Sequence, residues 1–168
     1  MIEQFIRDVP DFPKEGIVFK DITPLLQDPD GLSETIDLMA AVVDGGDFDL
    51  IAGVESRGFI FGTALAYKLE KGFVPIRKPK KLPWKTASEE YDLEYGTDTI
   101  EIHVDAVEGR RVLLVDDLLA TGGTAEAALK LISKVGGTSV ACAFVIELGF
   151  LGGRAKLGDT PCHSLITY

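Results

Sequence analysis

Val112-Leu113-Leu114-Val115-Asp116-Asp117-Leu118-Leu119-Ala120-Thr121-Gly122-Gly123-Thr124 decides the fold. Its first four residues are a continuous apolar run, the pattern of a strand buried on both faces of a parallel sheet. Two carboxylates, Asp116 and Asp117, follow that run, at the carboxyl edge where open α/β sheets bind ligands. Next come two glycines flanked by threonines, leading into an apolar-periodic helix from Ala125 to Val135. Glycines allow backbone N–H groups to converge, threonine hydroxyls add donors, and the helix dipole favours an anion. The chemistry is that of a phosphate cradle, with acids placed to hold sugar hydroxyls or a hydrated metal.

The rest of the chain repeats the same alternation. Asp30 to Asp44 has helical spacing, with Leu32, Ile36, Met39, Ala40 and Val43 on one face. Phe48 to Val54 and Phe73 to Ile76 are short apolar runs that predict buried strands. Phe59 to Lys71 between them predicts a helix closed by Gly72 as its left-handed end residue. Gly136-Gly137 ends the helix from Ala125, and Thr138 to Leu148 predicts a further strand. Strand, helix, strand, repeated, is an α/β fold with a central parallel sheet covered by helices on both faces. Lys78 to Asp98 breaks the pattern: it is polar and rich in turn formers, and a structureless stretch of about 20 residues is either a misassignment or a functional lid. Thr99 to Val104 alternates apolar and polar residues and predicts a ribbon at the lid's base.

Length and charge narrow the function. The 168 residues fit one domain, 1–168. With 17 basic and 27 acidic side chains the net charge is −10, which disfavours a nucleic-acid partner. No basic stretch followed by an apolar core opens the chain, and no apolar run approaches a membrane span. Two unclustered cysteines, Cys142 and Cys162, fit a reducing compartment, so a cytoplasmic location is expected. His103 and His163 lack a partner pattern and are expected to be structural. No lysine follows the glycines of the 120–124 loop, so it is not the nucleotide P-loop. Gly53 and Gly58 have P-loop spacing, but Phe59 and Ile60 replace its Lys-Ser/Thr pair.

Val112 to Thr124 resembles the phosphoribosyl-pyrophosphate motif of the type I phosphoribosyltransferases, and its Leu-Leu-Ala-Thr-Gly-Gly-Thr wording resembles the adenine-using branch. The resemblance extends over nearly the whole chain. Asp11-Phe12-Pro13 with Gly16 to Pro24 is similar to that branch's amino-terminal signature. Gly53-Val54-Glu55-Ser56-Arg57-Gly58-Phe59 resembles its pyrophosphate loop, Ile76-Arg77-Lys78 its next strand end, and Tyr91 to Gly96 its mobile catalytic loop.

The resemblance implies the type I phosphoribosyltransferase fold, with a small hood from about 1–25 and 149–168 and a mobile lid at about 78–98. It implies transfer of a phosphoribosyl group to adenine, giving AMP and pyrophosphate with Mg2+, in a homodimer. By the same resemblance Ala120, Thr121, Gly122, Gly123 and Thr124 hold the 5-phosphate, and Asp116 and Asp117 hold the ribose hydroxyls or magnesium-bound water. Glu55, Ser56, Arg57, Arg77, Lys78 and Lys81 serve the pyrophosphate, whose charge calls for cations. Val18, Phe19 and Arg57 form the adenine pocket, and Glu94 is the catalytic, proton-handling residue. No direct protein ligand to a metal is expected. A cis peptide between Glu55 and Ser56 is also implied. One departure stands out: Lys80 occupies the position where the family usually has glycine. A different acceptor base and a phosphoribosyl-pyrophosphate-sensing regulator are the alternative readings; the regulator would need a basic face.

Overall fold

The computed structural model describes residues 1–93 and 95–168. By internal contacts the chain divides into Met1–Leu38 and Met39–Tyr168, taken here in turn.

In Met1–Leu38, β1 (Arg7–Pro10) pairs antiparallel with β2 (Val18–Asp21), matching Arg7 with Asp21 and Pro10 with Val18. The connecting turn contains a cis Phe12–Pro13 bond, and Asp11, at φ 56°, accepts the Gly16 N–H through Oδ1 at 2.8 Å. Phe12 meets the Phe19 ring edge-on at 5.1 Å. α1 (Thr23–Gln27) follows, with Leu25 fully buried. α2 (Pro29–Val42) then opens as helices prefer, with Pro29 at its first position and Asp28 Oδ1 accepting the Gly31 N–H at 2.7 Å. Thr35, Ile36 and Met39 are its buried stripe, with Val43 buried just past its end, close to the face expected from spacing.

In Met39–Tyr168, five strands form one all-parallel sheet in the order β4-β3-β7-β8-β9. They are β3 (Leu50–Val54), β4 (Gly72–Ile76), β7 (Arg111–Leu119), β8 (Thr138–Glu147) and β9 (Cys162–Thr167). α3 (Arg57–Lys68) packs on β3 and β7, and α4 (Gly123–Lys134) covers β7 and β8. Val112 to Val115 are fully buried at the sheet's centre, as their continuous apolar character requires. α3 lies close to β3: a Cβ on Gly53 would meet the Gly58 carbonyl oxygen at 3.1 Å and one on Gly62 the Gly53 Cα at 3.6 Å, and the Phe73 ring fills the space beside both glycines. Asp49 Oδ2 accepts the Arg111 N–H at 2.8 Å and its Oδ1 takes Nη2 at 2.8 Å, tying the starts of β3 and β7 together.

Three expectations need correction. Gly72 does not end α3. The helix stops at Lys68, Glu70 takes the left-handed turn at φ 55°, and Gly72 already pairs with Leu50 in the sheet. The helix ends three residues short of Lys71, and strand pairing takes Gly72 itself. The stretch Lys78 to Asp98 is not irregular throughout, since β5 (Thr86–Asp92) pairs antiparallel with β6 (Thr97–His103). Polar residues on both faces of β5 erase the alternation that would reveal it. β7 is also longer than its apolar run, so Asp116 and Asp117 lie within the strand rather than after it. The carboxyl-terminal part forms short 3-10 turns at Gly149–Leu151 and Gly153–Leu157 before β9 joins the sheet. Among the described residues, no helix is long and apolar enough to cross a membrane.

Candidate active site

The carboxyl ends of β3 and β7 open on a cavity of about 430 Å³. One wall is the loop after β7, where Ala120, Thr121, Gly122, Gly123 and Thr124 all line the space. Gly122 sits at φ 86°, in the left-handed region that turns the strand into α4 without a side-chain clash. The first intrahelical bond of α4 runs from the Glu126 N–H to the Gly122 carbonyl at 2.9 Å. The N–H groups of the turn before Glu126 therefore have no acceptor within the helix, and an anion is their natural partner.

The floor is acidic. Asp117 is 6% exposed, and its Oδ2 takes Arg57 Nε at 2.8 Å. Asp116 Oδ1 accepts the Asp117 N–H at 2.8 Å and lies against Gly58, where a Cβ would come within 2.8 Å of it. Burial pushes the Asp116 carboxyl well above the usual carboxylate range, and the neighbouring Asp117 charge pushes the same way. The Asp116 carboxyl takes its charge reluctantly, so a cation or hydroxyl brought to it gains from satisfying it.

The opposite wall comes from β3, β4 and the β5–β6 ribbon. The Glu55–Ser56 peptide is cis, as the resemblance implied, and both residues line the cavity. Glu55 Oε1 accepts Arg77 Nε at 3.1 Å and the Lys78 N–H at 2.8 Å, fixing the end of β4. Lys78 lines the cavity and is ion-paired with Asp98, while its ammonium reaches the Tyr91 hydroxyl at 3.5 Å. Burial opposes the Lys78 charge, but hydrogen bonds and charge attraction from Asp98 and Tyr91 together outweigh it and raise the pKa. Tyr91 donates to Asp98 Oδ2 at 3.3 Å and also lines the cavity.

The structure thus brings together Glu55, Ser56, Arg57, Lys78, Asp116, Asp117 and all five residues of the 120–124 loop. Arg77 stays behind the wall, over the Phe59 ring at 5.8 Å and bonded to Glu55. Lys81 is exposed and outside the cavity lining. Val18, 51% exposed, and the half-buried Phe19 belong to Met1–Leu38 and sit on its hairpin. Glu94 lies outside the described residues. The sequence names Tyr91 only as the start of the stretch resembling the catalytic loop and gives Asp98 no site role. They face each other across the β5–β6 register, and recognising that ribbon would have paired them. Trp84 meets the His103 ring edge-on at 6.3 Å, away from the cavity lining. Among the described residues no cluster of His, Cys, Asp and Glu is arranged to hold a metal ion by itself.

A parallel sheet with this loop, acidic pair and cation wall defines a phosphoribosyl-binding domain, and residues 21–159 match the family described as phosphoribosyl transferase domain. An adenine phosphoribosyltransferase of Thermotoga petrophila is 56% identical over 168 residues, covering 99% of each chain. The crystal structure of adenine phosphoribosyltransferase from Thermoanaerobacter pseudethanolicus superposes with TM-score 0.97 at 55% identity, over 99% of this chain and 98% of that one. That from Saccharomyces cerevisiae, complexed with an imino-altritol bisphosphate and adenine, gives TM-score 0.89 at 40% identity over 98% and 96%. The chain belongs to the adenine phosphoribosyltransferase family.

Proposed function

We propose that the cavity binds 5-phospho-α-D-ribose 1-diphosphate and that the chain transfers its phosphoribosyl group to adenine, releasing AMP and diphosphate in purine salvage. The observation that carries this reading is the convergence on one cavity of the α4 entry loop, the Asp116–Asp117 pair and Lys78. The loop supplies neutral donors suited to a monoester phosphate. The acids suit ribose hydroxyls, and the cations suit the more highly charged diphosphate.

In the reaction the bond from the anomeric carbon to diphosphate breaks, and one forms to a purine ring nitrogen. Positive charge grows on the sugar while negative charge grows on the leaving group. Lys78 and Arg57 stabilise the latter, with Arg77 acting through Glu55 and Lys81 approaching from the exposed lid. Glu94 accepts the proton that the purine loses as its new bond forms. Val18 and Phe19 bind the purine, the first by its backbone and the second by its ring. The 78–98 segment acts as the lid that keeps water from the activated sugar.

Asp116 and Asp117, two adjacent carboxylates at the rim of an open cavity, fit the bound water of a magnesium ion carried on the diphosphate rather than the ion itself. Held there through its water, the ion would neutralise leaving-group charge. A homodimer in the cytoplasm completes the proposal. The free thiols Cys142 and Cys162 suit that compartment, and a monomer mass by light scattering at micromolar concentration would remove the dimer.

The decisive experiment is a chromatographic assay with phosphoribosyl pyrophosphate, magnesium and a panel of adenine, hypoxanthine, guanine, xanthine and orotate. Formation of AMP alone is expected. Turnover of another base would keep the phosphate cradle and discard the purine pocket. Binding of phosphoribosyl pyrophosphate without turnover of any base would favour a sensor.

A further inference from the structure

The 120–124 loop contains two consecutive glycines, so it has little side-chain substance of its own to hold its backbone in place. It is braced from outside. A Cβ on Gly153 would collide with the Ala120 carbonyl and would meet the Gly122 nitrogen at 2.9 Å and the Thr121 carbonyl carbon at 3.0 Å. The backbone of the Gly153–Leu157 turn is therefore pressed against three of the five loop residues, with no side chain between.

That turn is itself held by a forked ion pair. Glu147, the last residue of β8, is 6% exposed. Arg154 donates Nε to Glu147 Oε1 at 3.0 Å and Nη2 to Oε2. The same guanidinium donates Nη1 to the Cys162 carbonyl at 2.6 Å and reaches Ser164 Oγ at 3.5 Å, so β9 is tied in as well. One residue beyond Glu147, the Leu148 N–H bonds the Leu119 carbonyl at 2.9 Å, at the point where β7 becomes the loop. The Arg154 hydrogen bonds hold the Glu147 carboxyl below its usual range, so the pair is charged at neutral pH.

We infer that Glu147 and Arg154 are positioning residues for the 5-phosphate: their ion pair fixes Gly153 as a rigid stop behind Ala120–Gly122 and so sets the loop's backbone donors. The inference rests on the reading of this loop as the 5-phosphate site. A planar fork spanning Glu147, Cys162 and Ser164 suits the task better than an ammonium, because it fixes orientation as well as distance. Neither Glu147 nor Arg154 lines the cavity that Lys78 faces, and the pair meets the site through Gly153 and the loop backbone, so it should act on the monoester phosphate and leave the diphosphate wall alone.

The test uses the full chain and titration calorimetry with AMP and with inorganic pyrophosphate. The double variant Glu147→Gln/Arg154→Met removes both charges and leaves no buried charge unpaired. AMP binding is expected to weaken roughly tenfold, the scale of a small displacement of aligned groups, with pyrophosphate binding changed by less than about twofold. Gly153→Ala, which pushes on the loop from the same side with the ion pair intact, should give the same split. Unchanged AMP binding in both variants would overturn the inference. Equal weakening of both ligands would also overturn it, since that is the mark of a general structural role. A wild-type protein that binds pyrophosphate but not AMP would instead strike at the phosphate-site reading itself.

Discussion

Thr124, in the first turn of α4, donates its hydroxyl to the phenol oxygen of Tyr91 at 3.4 Å, joining the phosphate loop to the β5–β6 ribbon. The same phenol contacts Lys78 and Asp98, so one hydroxyl stands between the group assigned to the 5-phosphate and the group assigned to the diphosphate. Tyr91→Phe keeps the ring and removes that junction. At about 1 kcal/mol for a hydrogen bond, KM for phosphoribosyl pyrophosphate should rise about fivefold while KM for adenine stays put. Steady-state kinetics with each substrate varied will show it.

The proton-handling role assigned to Glu94 separates it from its neighbours in sequence. Glu94→Gln should lower kcat by about a hundredfold or more, the range of a lost general base. Glu89→Gln should have little effect, since Glu89 meets Lys134 at 3.5 Å and is not among the residues lining the cavity. Equal, small effects in the same assay would remove the assignment.

Lys80 has φ 65°, a left-handed conformation that costs a residue with a Cβ about 1–2 kcal/mol. Lys80 thus takes the backbone conformation that glycine adopts most cheaply. Lys80→Gly should raise stability by roughly 0.5 kcal/mol, relief of that cost being partly offset by the freer unfolded chain. Lys80→Val should lower it by more than about 1 kcal/mol, because a branched side chain fits this region worst. Urea unfolding of the three proteins gives the comparison.

Asp116 sets binding against stability. Its raised pKa means the folded protein holds a proton there more tightly than the unfolded chain does. That contribution is complete below the ordinary carboxylate pKa of about 4 and is lost as pH rises through the elevated value. Asp116→Asn should therefore unfold at a higher temperature than wild type at pH 8, with the difference shrinking toward pH 4. Turnover should fall at every pH, because the carboxylate assigned to the ribose hydroxyls is gone.

Asp49 titrates the other way. Hydrogen bonds from the Arg111 side chain and N–H lower its pKa to about 2. Its stabilisation is present above about pH 4 and fades as pH falls toward 2. In acid unfolding monitored by circular dichroism, Asp49→Asn should be weaker than wild type at pH 6 and indistinguishable from it near pH 2.

The sheet's interior was legible because Val112 to Val115 and the run before Val54 are apolar without interruption, which only strands buried on both faces tolerate. The phosphate loop and its acids were legible because they are contiguous. β5 was hidden because Ser88, Glu89, Glu90 and Asp92 leave it no apolar face to read. Tyr91 and Asp98 stayed unread for the same reason, since their meeting depends on the register of that ribbon. Gly152-Gly153 looks like slack in the sequence, yet Gly153 touches the loop backbone, a fact that exists only once β7 and β8 lie side by side. Glu70 and Lys80 took positive φ without any glycine to announce them.

The parallel pairing of β3 with β7 has a consequence for the order in which the molecule comes into being. Asp49 and Arg111, which join the starts of those two strands, are 62 positions apart. Closing so long a span is slow, because the chain entropy must be lost before any contact rewards it. Until it closes, Arg57 has no Asp117 and the loop at 120–124 has no opposite wall. A nascent chain that has not yet released β7 therefore has no half-formed site that could hold a sugar phosphate unproductively. Competence arrives together with the completed sheet.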